Sequence, residues 1–233
     1  MSKVFFTADT HFGSERTLTL SRRPFKTVEE MDETLINNWN SVVGKDDIVY
    51  HLGDFGNYEI VKRLNGKVTL IWGNYELNEF MMKYNILETI ENTNDPQYRN
   101  EILPTIESQS HLRDILLWRY IIEKTNNHSN ISEFNEILMS YGFDDIVLFG
   151  GTHHPTEVMS EGLYLVHEPI MCMRDVDITK TMNLFGHIHG RQLVKKYGLD
   201  VGVDGHHFYP IDMDTVLFYR TAIKKFYDGN VFF

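Results

Sequence analysis

The sequence predicts an α/β fold whose functional groups lie beyond the carboxyl ends of its strands, and three observations carry that prediction. Short apolar runs recur along the chain, segments with helical spacing separate them, and each run stops at a residue able to bind a metal ion. Lys3 to Ala8 runs into Asp9-Thr10-His11, Ile48 to Leu52 stops at Gly53-Asp54, and Val68 to Trp72 stops at Gly73-Asn74-Tyr75-Glu76.

The first run, rich in Val and Phe, reads as a buried strand delivering a carboxylate and an imidazole from its tip. Phe12 to Arg16 reads as a loop. Thr27-Val28-Glu29-Glu30 is a capping-box pattern, in which the Thr hydroxyl and the Glu carboxylate satisfy each other's free backbone N–H groups. Val28, Met31, Leu35, Trp39 and Val42 follow at helical spacing, which predicts an amphipathic helix over 28–43 ended by Gly44. After the second strand Asn57 caps a short helix reaching Leu64, and Asn65-Gly66 is a tight turn into the third strand.

Residues 91–142 break this rhythm. Asn92 to Pro96 reads as a loop, Ile115, Leu116, Tyr120 and Ile121 form one helical stripe, and Asn126 to Asn130 separates it from a second helix around 132–140. The segment is expected to be a helical hairpin inserted into a single domain spanning 1–233. Its Trp118 and Tyr120 read as core.

The sheet pattern resumes with Ile146 to Phe149, followed by a loop from Gly150 through His153 and His154 to Pro155. Gly162 to Val166 is expected as a strand ending at His167, and Met182 to Phe185 as one ending at Gly186-His187-Ile188-His189. Val201 to Val203 is expected as a short strand before Asp204-Gly205-His206-His207. Asp212 or Asp214 caps a last helix running towards Lys225.

Composition bounds the function. A chain of 233 residues can bury a sizeable core, and 22 Lys and Arg against 33 Asp and Glu give a net charge of −11. That balance opposes non-specific attraction to duplex nucleic acid or anionic membrane. A single cysteine, Cys172, allows no intramolecular disulfide and reads as a small apolar filler in a reducing compartment. No signal-peptide pattern and no long apolar run occurs, so a cytoplasmic location is expected.

Five strand ends together present Asp9 and His11, Asp54, Asn74, His167, and His187 with His189. Oxygen and imidazole donors without thiolate suit manganese, and also iron, zinc or nickel. These donors suffice for two divalent ions if one carboxylate bridges them, and two ions about 3.5–4 Å apart can clamp both phosphoryl oxygens of an in-line displacement. Singly, each residue has a plainer reading, Asp54 as a turn former and His167 as a loop residue. His51, inside a strand, is either a buried structural group or part of the site. Arg16, close after the first ligand loop, is a candidate for binding a substrate phosphate, and His153 and His206 for the substrate rim.

The order Asp-x-His, Gly-Asp, Gly-Asn, His, Gly-His-x-His resembles the calcineurin-like metallophosphoesterase superfamily. Thr10-His11-Phe12-Gly13, Arg23-Pro24-Phe25, Glu30-Met31-Asp32, Trp39-Asn40 and Tyr50-His51-Leu52-Gly53-Asp54-Phe55 are similar to a branch of small single-domain bacterial and phage members. The resemblance covers about residues 3–90 and 146–217. It implies two packed mixed β-sheets flanked by helices. It further implies one metal on Asp9, His11, Asp54 and His189 and another on Asp54, Asn74, His167 and His187, with attack by a metal-bridging hydroxide on phosphorus.

Two positions depart from the family pattern. The third motif usually continues Gly-Asn-His, the His assisting the transition state, whereas Tyr75 stands here. Tyrosine, with a reference pKa of about 10, donates a hydrogen bond but is a reluctant proton donor. The expectation is therefore a phosphodiesterase acting on a small or nucleotide-like phosphoester, with Asp54, Asn74 and Tyr75 as its catalytic residues. Alternatives are a nuclease or phosphomonoesterase of the same fold, or a catalytically weak scaffold. The second departure is Ser14, where related members often place another His. The inserted hairpin is expected either to cap the site or to mediate homo-oligomerisation.

Overall fold

In the computed structural model residues 2–92, 95–109, 112–124, 128–148, 150–154 and 162–228 are described. In chain order the elements open with β1 (Val4–Thr7), α1 (Glu15–Leu20), α2 (Val28–Val42), β2 (Ile48–His51), β3 (Lys67–Ile71), α3 (Asn74–Lys83) and α4 (Ile86–Glu91). A helical block follows, of α5 (Leu103–Ser108), α6 (Arg113–Lys124) and α7 (His128–Tyr141). Then come β4 (Asp145–Val147), β5 (Gly151–His153), β6 (Leu163–Leu165), β7 (Met182–Phe185), β8 (Val194–Lys195), β9 (Gly198–Asp200), β10 (Ile211–Asp212) and α8 (Met213–Phe226).

Two five-stranded mixed sheets result, ordered β10-β1-β2-β3-β4 and β5-β6-β7-β9-β8. In the first only β10 is antiparallel, and in the second only the edge strands β5 and β8 are. Alternation along the strands divides the interior into two cores. Phe5, Val49, Val68 and Leu70 face a core shared with α2, α3, α4, α6 and α7. Val4, Phe6 and Ile71 face the other way, onto Leu163, Leu165, Met182, Leu184 and Leu199 of the second sheet and onto Val216 and Ile223 of α8. The expected α+β sandwich is observed at this level.

The amphipathic helix forms where its spacing places it, with Met31, Leu35 and Trp39 buried. Its cap is only half a capping box. Thr27 accepts the N–H of Glu30, but the Glu30 carboxylate takes the N–H of Lys26 rather than that of Thr27. Asn57 caps the short 3-10 helix Tyr58–Arg63, and Asp212 rather than Asp214 caps α8 by accepting the N–H of Thr215.

Several elements differ from expectation. Phe12 to Arg16 is not all loop, because the Ser14 hydroxyl caps α1. Residues 91–142 hold more than a hairpin, since a π-helical turn at Tyr98–Ile102 and α5 precede α6 and α7. The segment is fused to the main core: Leu117, Trp118, Tyr120, Ile121, Ile131, Phe134 and Leu138 pack in the same cluster as Trp72 and Phe80. The supposed loop at 150–155 contains an edge strand, β5. The strand expected at Val201 to Val203 ends earlier, at Asp200, because Val203 donates to the Ala8 carbonyl and begins a 3-10 turn. The expected helix break at 126–130, the loop at 92–96 and the strand end at Phe149 fall partly outside the described residues. Among the described residues no helix is long and apolar enough to cross a membrane.

Candidate metal centre

The parallel strands of both sheets bring their carboxyl ends to one place. The loops after β1 and β2 run on side by side, Asp9 donating to the Gly53 carbonyl and His11 to that of Asp54, each at 3.0 Å. Across the gap Gly186 donates to the His167 carbonyl, which joins the loops after β6 and β7. Close approach there requires glycine. A Cβ on Gly186 would lie 2.5 Å from that of Ala8, and one on Gly53 would lie 2.5 Å from the Gly73 backbone.

Asp9, His11, Asp54, His187 and His189 all adopt positive φ, between 49° and 73°. Left-handed backbone is uncommon for residues other than glycine and costs free energy that the surroundings must offset. Five of the seven candidate ligands thus share a strained conformation that aims their side chains into one gap.

The donors there are arranged so that they could hold a cation. His167 turns Nδ1 to the Leu52 carbonyl at 2.6 Å, so that nitrogen carries the proton. Its Nε2 lone pair then faces Oδ1 of Asn74 at 2.9 Å and Oδ1 of Asp54 at 3.5 Å, both acceptors. Asn74 Oδ1 also meets Nδ1 of His187 at 3.0 Å. On the other side Asp54 Oδ2 stands 3.5 Å from Nε2 of His11, and neither ring nitrogen of that buried imidazole has a hydrogen-bond partner. Ligand atoms of Asp9, His11 and His189 lie within 4.8 Å of one another, as do those of Asp9, Asp54 and His167. These groups could hold metal ions, and Asp9 belongs to both of them.

Electrostatics point the same way. Burial pushes the Asp9 carboxyl up to about 8, with Asp200 adding to the rise and His189 opposing it. Burial, then the carboxylates of Glu76 and Asp9, hold Asp54 well above its ordinary range. His11 is pushed down to about 2 by burial and by neighbouring His189 and Arg23. Burial holds the His11 and His167 rings against protonation, so beside them the buried Asp54 lacks a countercharge, which a divalent ion would supply.

Residues that position this centre lie just outside the predicted set. Glu76 accepts the backbone N–H groups of Asp54, Phe55 and Gly73, tying the second ligand loop to the start of α3. Arg23, buried, donates to the carbonyls of Asp9 and Thr10 and to both oxygens of Asp204. Asp204 in turn accepts from Nδ1 of His189 at 2.8 Å, which leaves Nε2 of that ring free to ligate. An acid three residues after Gly73 is a visible N-terminal helix signature; nothing in the sequence pairs Arg23 with Asp204.

A cleft of about 190 Å³ opens on the centre, lined by His11, Arg16, Asp54, Asn74, Tyr75, His187 and His189. Arg16 is exposed on α1 at its edge. Tyr75 gives its backbone N–H to Asp54 Oδ1 and sets its ring edge-on to His11, centroids 4.6 Å apart. Two rim expectations fail. His206 is buried, its Nε2 meeting the Asp200 carbonyl at 2.7 Å and its ring packing towards Tyr219 of α8. His153 lies in β5 and packs against Tyr50, in the body of β2 rather than at its tip. Cys172, expected as a small apolar filler, is partly exposed on the wall of a second cavity.

No protein-family model matches the chain. It is 40% identical over 96 residues to the uncharacterized protein MJ1445 of Methanocaldococcus jannaschii, a stretch covering 38% of this chain and 53% of that one. It is 38% identical over 85 residues to the Gene 66 protein of Mycobacterium phage L5, covering 33% of this chain and 41% of that protein. The chain therefore spans about half the length, or less, of these curated relatives. Among solved structures, the protein of unknown function AQ665 from Aquifex aeolicus is similar, with a TM-score of 0.53 and 17% identity over 94% of this chain and 100% of that one. That likeness is one of fold.

Proposed function

We propose that this chain is a binuclear metal-dependent phosphoesterase of the calcineurin-like type, acting on small or nucleotide-like phosphodiesters. The observation that carries the reading is the placement of Asp54, whose two oxygens face His11 and His167 separately, each at 3.5 Å. A carboxylate so placed suits a bridge. One ion would be held by Asp9, His11, Asp54 and His189, the other by Asp54, Asn74, His167 and His187. Such a pair of ions, when bound, supplies Lewis acidity that activates water and offsets charge on phosphoryl oxygens.

The chain's own residues do the remaining work. Arg16 offers a planar guanidinium to a phosphate oxygen entering the cleft. Tyr75, on the same wall, offers a phenolic hydrogen bond where related enzymes place an imidazole. Without that imidazole to protonate a departing alkoxide, substrates with a good leaving group are favoured, and an activated diester is the natural probe. Glu76 fixes the loop after β2 and Arg23 the loop after β1, which pre-organises the groups they carry.

The test is hydrolysis of bis-p-nitrophenyl phosphate beside p-nitrophenyl phosphate in manganese, with Asp54→Asn protein as the blank. Preferential diester turnover that vanishes in the variant is expected. Failure to hydrolyse either compound by protein that binds metal would overturn the reading.

A further inference from the structure

A second cavity, of about 580 Å³, lies beside the candidate centre and shares His187 with it. Its chemistry differs from that of the centre. Arg174, Lys195 and Lys196 stand on its wall, and among the described residues none of the three is paired with a carboxylate. Lys196 is engaged over the Tyr197 ring, 4.9 Å from its centroid, and Glu168 also lines the wall, which leaves Arg174 and Lys195 as two cations offered to the cavity in a chain of net charge −11. Between them part of the wall is apolar. Ile170 and Met173 are 41% and 40% exposed, large values for such side chains, and Tyr197 is fixed by its hydroxyl on Asp175.

We infer that this cavity receives the far arm of the substrate: a nucleotide whose ring lies on the Ile170, Met173 and Tyr197 surface and whose own terminal phosphate is held by Arg174 and Lys195. The inference rests on the phosphoesterase reading and names the substrate class for it, a phosphodiester carrying a second phosphate beyond the scissile one. His187, at the junction of the two spaces, marks where the scissile group and the far arm meet. A ring with an anionic end satisfies both parts of the wall, whereas a purely apolar arm would leave the cations without partners.

The experiment compares the dinucleotide TpT with 5′-phosphorylated pTpT in manganese-loaded protein. Wild type is expected to favour pTpT by about tenfold in KM, the scale of one charge-assisted contact, and Arg174→Ala and Lys195→Ala each to bring the ratio towards one. Because both substrates are measured on one preparation, a partly unfolded variant does not alter the ratio. A wild-type ratio near one, or a ratio that survives both substitutions, would overturn the inference while leaving the phosphoesterase reading to stand on bis-p-nitrophenyl phosphate. If neither dinucleotide is hydrolysed, binding of the two is compared in chelator. A preference for pTpT that the substitutions abolish upholds the subsite without the activity, and equal binding removes it.

Discussion

Arg23 grips both carboxylate oxygens of Asp204, at 2.9 and 2.8 Å, and Asp204 passes that restraint on to the ring of His189. Burial opposes ionisation of Asp204, but its hydrogen bonds with His189 and Arg23 outweigh this and hold it down at about 2. Burial likewise opposes protonation of His189, and Asp204 and Asp9 overcome it. Asp204→Asn keeps the shape but removes the charge that orients the imidazole. Manganese affinity measured by calorimetry should fall by about 10- to 100-fold. Unchanged affinity would mean that the Asp204 charge does not act on a metal-holding His189.

Glu76 serves three backbone donors at 2.8 to 3.0 Å with no exposure to solvent. Glu76→Gln turns an amide N–H₂ towards N–H groups that need an acceptor. A loss of roughly 2–3 kcal/mol follows from hydrogen bonds to a charged group left unmade. In a protein of this size that is a fall of about 4–12 °C in melting temperature, read by calorimetry in chelator. A loss below about 0.5 kcal/mol would show that the loop after β2 holds its strained shape without this carboxylate.

How much of this was legible in the sequence follows from where the information lies. The candidate ligands stand at strand ends, and strands announce themselves by apolar runs, so Asp9, His11, Asp54, Asn74, His167, His187 and His189 could all be picked out in order. His153 and His206 read as rim residues, because a histidine after an apolar run does not reveal which way its ring turns. His206 turns inward to the Asp200 carbonyl, and His153 belongs to a strand too short for periodicity to disclose. Arg23 and Asp204 are separated by 181 residues, and only the closing of the second sheet on the first brings them together. The helical block was legible in part for a related reason: its stripes and its core residues Trp118 and Tyr120 are visible in the sequence, but not the π-helical turn and α5 before them, nor that they pack with Trp72 and Phe80.

His51 carries a pH dependence of its own. The Thr10 hydroxyl donates to the Phe55 carbonyl at 2.9 Å, so Nε2 of His51 must donate to Thr10, and the bare Nδ1 is left without a partner. Burial pushes this histidine down to about 3. An unfolded histidine takes up its proton near pH 6.5, at about which point the unfolded chain begins to bind a proton that folded His51 refuses. Its contribution is therefore full above about pH 6.5 and is lost as pH falls towards about 3. At pH 5 that amounts to about 2 kcal/mol. Melting temperatures of chelated protein between pH 7 and 5 should fall less steeply in His51→Gln than in wild type; parallel curves would count against this assignment.

Trp118 decides whether residues 91–142 are an appendage or part of the main fold. Its ring lies 5.3 Å from that of Trp72, which itself lies 5.5 Å from Phe80 of α3 and 5.1 Å from Phe134 of α7. Trp72 is the residue after β3, two before Asn74, so the helical block buttresses the strand end that presents a candidate ligand. Trp118→Ala should cost about 3–5 kcal/mol through lost burial and the cavity left behind. Because the loss falls within one shared core, the whole protein should melt in a single transition displaced downward, and manganese affinity should fall with it. A separable appendage would behave differently. Its unfolding would appear as a second, lower transition, with the main transition and the metal affinity left where they are in wild type.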